Sequence, residues 1–221
     1  MREATRQPGG DRAAPAALVR GMALAVLLAA LAGMVDAIGY LHLKGPFVAF
    51  MTGNTTEMAV ALGQGDLAQA GFIAELIALF VAGAAAGQVL GGASGRWHMT
   101  LILVAVTVLL AVAALRGTAP EPMVLAMGAM NSSMHRAGAI SVSLTYVTGM
   151  LVRLGQGVGD LLTGRAKDWG WLAQAAPWFG LVAGATAGSA AYTGLGGAAM
   201  WAAVGLAGLL ATLSAVIRNP D

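Results

Sequence analysis

The chain contains no cysteine, which excludes disulfides, thiol nucleophiles and thiolate metal sites together. Charge is nearly as scarce. Only 10% of the 221 residues are Asp, Glu, Lys or Arg, against about 25% in soluble domains, and none lies between Trp169 and Ile217. The three histidines, at 42, 98 and 135, have no metal-ligand spacing, so no metal is expected. No G-x-S-x-G elbow is present. Neither an enzyme nor a cofactor is expected. A net charge of +2 and a pI near 9.4 carry no nucleic-acid signal. The basic residues are scattered at helix ends, where membrane topology accounts for them.

What fills the chain instead is apolar. Hydrophobic residues make up 58% and the mean hydropathy is +0.76. A helix that crosses a bilayer needs roughly 20 apolar residues, so the uncharged run after Trp169 holds two, joined at Gly194-Leu195-Gly196-Gly197. A β-barrel would alternate polar and apolar residues in segments of about 10, and nothing here alternates. The fold class is therefore all-α: a polytopic transmembrane helical bundle in the lipid bilayer. Residues 1–17, polar and rich in Pro and Gly, read as a disordered arm. Arg2, Arg6, Arg12 and Arg20 place that arm and the N-terminus in the cytoplasm. A signal peptide fits less well than an uncleaved first span, because the apolar stretch continues through Asp36 to Leu43. Apolar segments occur at about 18–41, 46–62, 68–95, 97–115, 121–134, 138–162, 171–193 and 198–217. Those at 46–62 and 121–134 are short and 138–162 is polar in its middle. The expectation is about six full spans, or eight if every segment crosses.

Internal repetition organises these segments. Thr52-Gly53 recurs as Thr148-Gly149, at an offset of 96. Gly83, Gly87 and Gly91 recur as Gly180, Gly184 and Gly188, at 97, and Asp36 recurs as Asn131, at 95. This ordering predicts one transmembrane domain, 18–218, built from two repeats, 18–116 and 121–218. The repeat also explains a G-x-G-D motif at Gly157-Val158-Gly159-Asp160. The same pattern stands at Gly63-Gln64-Gly65-Asp66, so glycines ending one helix and an Asp capping the next account for both copies. Each glycine triplet lies on one helix face and reads as a small-xxx-small packing seam. Such a seam could also serve a homo-oligomer, or carve a passage beside the helix.

The densest polar cluster is Thr52, Gly53, Asn54, Thr55, Thr56 and Glu57, inside an apolar segment. Asp36 lies eight residues before Lys44 and Thr52 eight after it, so both sit roughly 10 Å below the turn if two antiparallel helices meet there. Asn131 with Thr145 or Thr148, and Gly149, forms a similar pair. Gly53 would weaken its helix, and freed backbone at membrane depth is tolerated only inside protein or beside water. A membrane-depth carboxylate costs about 2.5–3.5 kcal/mol, which sets Asp36 apart from hydroxyls that bond between helices at about 0.6 kcal/mol. The expected substrate site is thus Asp36, Thr52, Gly53, Asn54 and Thr55, with Asn131, Thr145, Thr148 and Gly149. The 96-residue offset also sets Glu57 on Arg153, an acid opposite a base. A gating ion pair across the repeat interface is one reading; snorkelling of each to its own surface is the other.

GMVDAIGYLHLKGPFVAFMTGNTTEMAVALGQGD, with AMGAMNSSMHRAGAISVSLTYVTGMLVRLG, resembles the YoaK-type family of uncharacterised bacterial membrane proteins. The resemblance covers nearly all of the chain after the arm. It implies a multi-pass location in the bacterial cytoplasmic (inner) membrane and roughly six spans, and it implies no substrate. Met130 stands where the family tends to place Gln. From the residues, a permease for an unidentified small solute, with Asp36 able to carry a coupling proton, is the expected function. A passive channel lacks a visible ring of like charges, and a non-transporting scaffold leaves Asp36 and the Thr-Gly-Asn cluster unexplained.

Overall fold

A computed structural model of the chain describes residues 13–133, 147–165 and 170–217. Most of the N-terminal arm and Thr145 lie outside them. Among the described residues eight α-helices follow one another: α1 (Ala13–Leu43), α2 (Met51–Gln64), α3 (Leu67–Ala93), α4 (His98–Leu115), α5 (Pro120–Ser133), α6 (Val147–Leu162), α7 (Gly170–Leu195) and α8 (Met200–Ile217). The described residues are an all-α bundle. Local chemistry sets several boundaries. Gly65, in the left-handed conformation, ends α2, and the Asp66 carboxylate then accepts from the Gln69 amide at 3.0 Å to begin α3. Gly196, also left-handed, lies in the turn between α7 and α8.

The second G-x-G-D copy behaves differently from the first. Gly157 and Gly159 lie inside α6, where Gly157 is buried against Trp171, and the chain turns only at Gly164. Asp160 caps nothing there and pairs with Arg165 at 3.5 Å. Absence of a Cβ at 157 serves a tryptophan, not a helix end.

Long apolar helices dominate. Candidate spans are Gly21–Leu43, Leu67–Gly92, His98–Leu115 and Gly170–Val216, the last holding both α7 and α8. On α4, Ile102, Leu103, Val106 and Leu110 are fully buried, while Leu101, Val104 and Val108 are exposed. Val81, Val89 and Val216 are likewise 61–71% exposed. A surface as apolar as the core suits contact with acyl chains.

Glycine seams decide which helices pair. A Cβ on Gly180, Gly184 or Gly188 would strike the backbone of Val26, Ala30 or Met34, so α7 lies along α1, in the same direction. Gly83 and Gly87 press on Leu125 and Ala129 in the same way, so α3 and α5 are also parallel. Both seams are therefore consumed inside the chain. Gly180, Gly184 and Gly188 are covered by α1, and Gly83 and Gly87 by α5. By contrast α4 and α8 run antiparallel. Thr100 Oγ1 meets Ser214 Oγ at 3.1 Å, a Cβ on Gly208 would lie 3.7 Å from Thr107, and Thr118 Oγ1 donates to the Gly197 carbonyl at 3.1 Å.

These crossings share one contact pattern. Gly33 abuts the Leu181 carbonyl and the Ala185 amide; Gly128 abuts the Phe80 carbonyl and the Ala84 amide. An offset of 95 from α1 to α5 and of 101 from α3 to α7 carries one set onto the other. In this contact pattern Gly83 falls on Gly184, one helical turn from the pairing with Gly180 that glycine spacing alone suggests. The same 101 maps Thr107 onto Gly208, and those two are in contact. Helices α2 and α6 pack on α3 and α7, respectively.

Candidate functional site

Lys44, in the left-handed region at φ 59°, turns the chain back on itself after α1. Residues 45–50 then descend along the last two turns of that helix. The Phe47 ring stacks on Tyr40 with centroids 4.8 Å apart. The Val48 and Ala49 amides both donate to Asp36 Oδ1, at 2.8 Å each. Only there does α2 begin, about 10 Å below the turn at 1.5 Å per residue. It climbs back in the direction of α1, because a Cβ on Gly45 would lie 3.5 Å from Glu57 Oε1, two turns into α2. The element is a re-entrant one: an extended descent followed by a helical ascent. It is not the antiparallel helical hairpin that the spacing of Asp36, Lys44 and Thr52 suggested.

An extended segment at this depth exposes backbone groups that hydrocarbon cannot satisfy. Two side chains meet the demand. Asp36 takes the amides of 48 and 49 on one oxygen, an anion-binding arrangement of successive N–H groups at a helix start. Asn54, with no exposed surface, accepts from the Phe47 amide at 2.8 Å and donates to the Phe47 carbonyl at 2.7 Å. Asn54 is a clamp on the descending segment.

The remaining residues of the cluster divide by exposure. Thr55 and Thr56 point outward and donate to the Met51 and Thr52 carbonyls one turn back, and Thr52 is exposed. Gly53 does not interrupt α2, which is continuous from Met51 to Gln64. It makes room for aromatics: a Cβ there would lie 2.6 Å from the Phe50 ring and 3.3 Å from that of Phe47. The interruption lies upstream, at 44–50. Glu57 accepts from Gln69 Nε2 of α3 at 3.2 Å, and no ion pair joins it to Arg153, which is exposed on α6.

In the second half, Gly149 is buried and Thr148 exposed at the start of α6. Asn131 is buried on α5, its Nδ2 donating to the Met127 carbonyl at 3.0 Å. Its Oδ1 accepts from no described residue.

Two cavities open beside Asp36. One of about 290 Å³ lies among Asp36, Phe47, Phe50, Val147 and Leu181, where the first residues of α2 and α6 approach each other. The other, about 740 Å³, extends past Asp36, Tyr40 and Phe47 to Thr186 and Ser189 of α7. Among the described residues Asp36 is the only charged side chain bordering either, and the Phe50 amide faces its carboxylate beside those of Val48 and Ala49. The chosen site residues are thus brought together only in part. Asp36 lines the cavities, buried Asn54 holds Phe47 at their edge, and Thr52, Thr55 and Thr148 are exposed. Phe47, Phe50, Tyr40 and Leu181 were missed. The Phe-x-x-Phe spacing just before Gly53 was the available signal for two of them.

A family model described as "Protein of unknown function (DUF1275)" matches residues 24–213. A UPF0700 transmembrane protein of Rhizobium meliloti (strain 1021) is 42% identical over 199 residues, covering 88% of this chain and 86% of that protein. No solved structure matches.

Proposed function

The chain belongs to the DUF1275 family and is an integral membrane protein, and from that premise we propose that it is a permease for a small solute, built from two inverted repeats. One observation carries the proposal. The chain breaks its helix in the interior of the bundle, beside a carboxylate and a cavity, where transporters place their sites.

The directions of the helices support six crossings. With α1 running outward, α4 and α7 also run outward and α3, α5 and α8 inward, while α2 dips in from one side and α6 from the other. Residues 18–116 and 121–218 then have opposite orientations, related by an axis in the membrane plane near Thr107 and Gly208. Equivalent elements approaching a midplane cavity from two sides is the geometry alternating access uses. This arrangement puts the N-terminus, Arg96 and Arg165 on the cytoplasmic side of the inner membrane, against Lys44 and Arg116 outside, in keeping with the positive-inside tendency.

Reconstituted vesicles test the function. Solute uptake that saturates and follows an imposed proton gradient supports a permease. Uptake that rises linearly with concentration points to a channel, and none from folded protein overturns transport.

A further inference from the structure

Resting on the permease reading, we propose that the cavity at Asp36 takes a small organic cation: an amine or ammonium with a compact apolar body. Three solute classes can be compared by what the walls offer. An anion meets the carboxylate of Asp36, a full negative charge whose Oδ1 accepts from the Val48 and Ala49 amides. The positive end of α2 offsets only about half a charge, so the site stays net negative and repels anions.

A neutral polar solute needs several donors and acceptors. Among the described residues, the smaller cavity provides none from side chains other than Asp36; the rest of that wall is alanine, valine, leucine and two phenylalanines. A cation is served on both counts. Its charge meets the Asp36 carboxylate, and its body lies against Phe47 and Phe50, rings set edge to face at 5.3 Å, so that one can present its face. The Tyr40–Phe47 stack continues this aromatic wall into the larger cavity. At about 30 Å³ per liquid water, a volume of about 290 Å³ admits a molecule of modest size.

Benzylammonium, benzoate and benzyl alcohol share one shape and differ in charge, which makes them suitable probes. Calorimetric titration of the full-length, detergent-purified protein is expected to show benzylammonium binding about tenfold tighter than either of the others. Asp36→Asn, which keeps an oxygen for both amides, should remove that preference while leaving benzyl alcohol unchanged. Equal binding of the three, or preference for benzoate, overturns the proposal. Should Asp36→Asn fail to fold, the discrimination by the wild-type protein decides alone. Uptake of the same probes into vesicles separates the two claims. Cation-selective binding without uptake keeps the site and sinks transport; unselective uptake keeps transport and sinks the site.

Discussion

Asp36 and Asn54 hold one stretch of backbone between them, and their replacements should differ in kind. Asp36→Ala leaves two amides of the descending segment without an acceptor, a loss of about 1–3 kcal/mol. Asp36→Asn preserves an acceptor and removes the charge. We therefore expect the Asn variant to reach the membrane at wild-type yield but to transport nothing, and the Ala variant to show reduced yield, both read by quantitative immunoblot beside uptake. Active Asn protein would refute a role for the charge. Asn54→Leu strands both backbone groups of Phe47 and should cost about 2–3 kcal/mol, visible as a lower thermal midpoint in detergent. Thr55→Val should stay within about 0.5 kcal/mol, because its exposed hydroxyl bonds only to its own helix. In sequence, Asn54 and Thr55 look alike as polar intrusions. Their difference depends on which face of α2 meets the segment ahead of it, and that face is set by packing on α3.

At the scale of the element, the seams of α1 with α7 and α3 with α5 have no room for side chains at their glycines. Gly184→Leu would push into the Ala30 backbone, and Gly83→Leu into that of Leu125. Backbone cannot yield as a side chain can, so each change should cost more than the 1–3 kcal/mol typical of about one overpacked methylene group. Gly63 has open space around it, and Gly63→Ala should be silent. Size-exclusion profiles of the three variants provide the comparison; well-folded Gly184→Leu protein would contradict the seam. The spacing of four between glycines was legible as a packing face. Its partner was not, since matching glycine to glycine ignores the helix each one touches.

For the whole molecule, direction is the testable quantity. Six crossings place Gly65 outside and Arg96 inside; eight reverse both. With no native cysteine, Gly65→Cys and Arg96→Cys can each be labelled in intact cells with a membrane-impermeant maleimide. Labelling of position 65 and protection of position 96 is the expected result, and the opposite pattern would sink the inverted arrangement together with its midplane site.

Hydropathy and spacing alone were enough for the all-α membrane bundle and for most helix limits, because the cost of leaving polar groups in lipid acts on each segment by itself. The first residues of α2 show where that reasoning stops. Residues 46–50 are as apolar as the helix that follows, yet they are extended. What makes an extended chain tolerable there is a carboxylate two turns back on α1 and an amide one turn ahead on α2, accepting and donating where a helix would have bonded to itself. The exchange of partners is a property of three segments brought together, and so are the cavity beside Asp36 and the direction in which α2 leaves it.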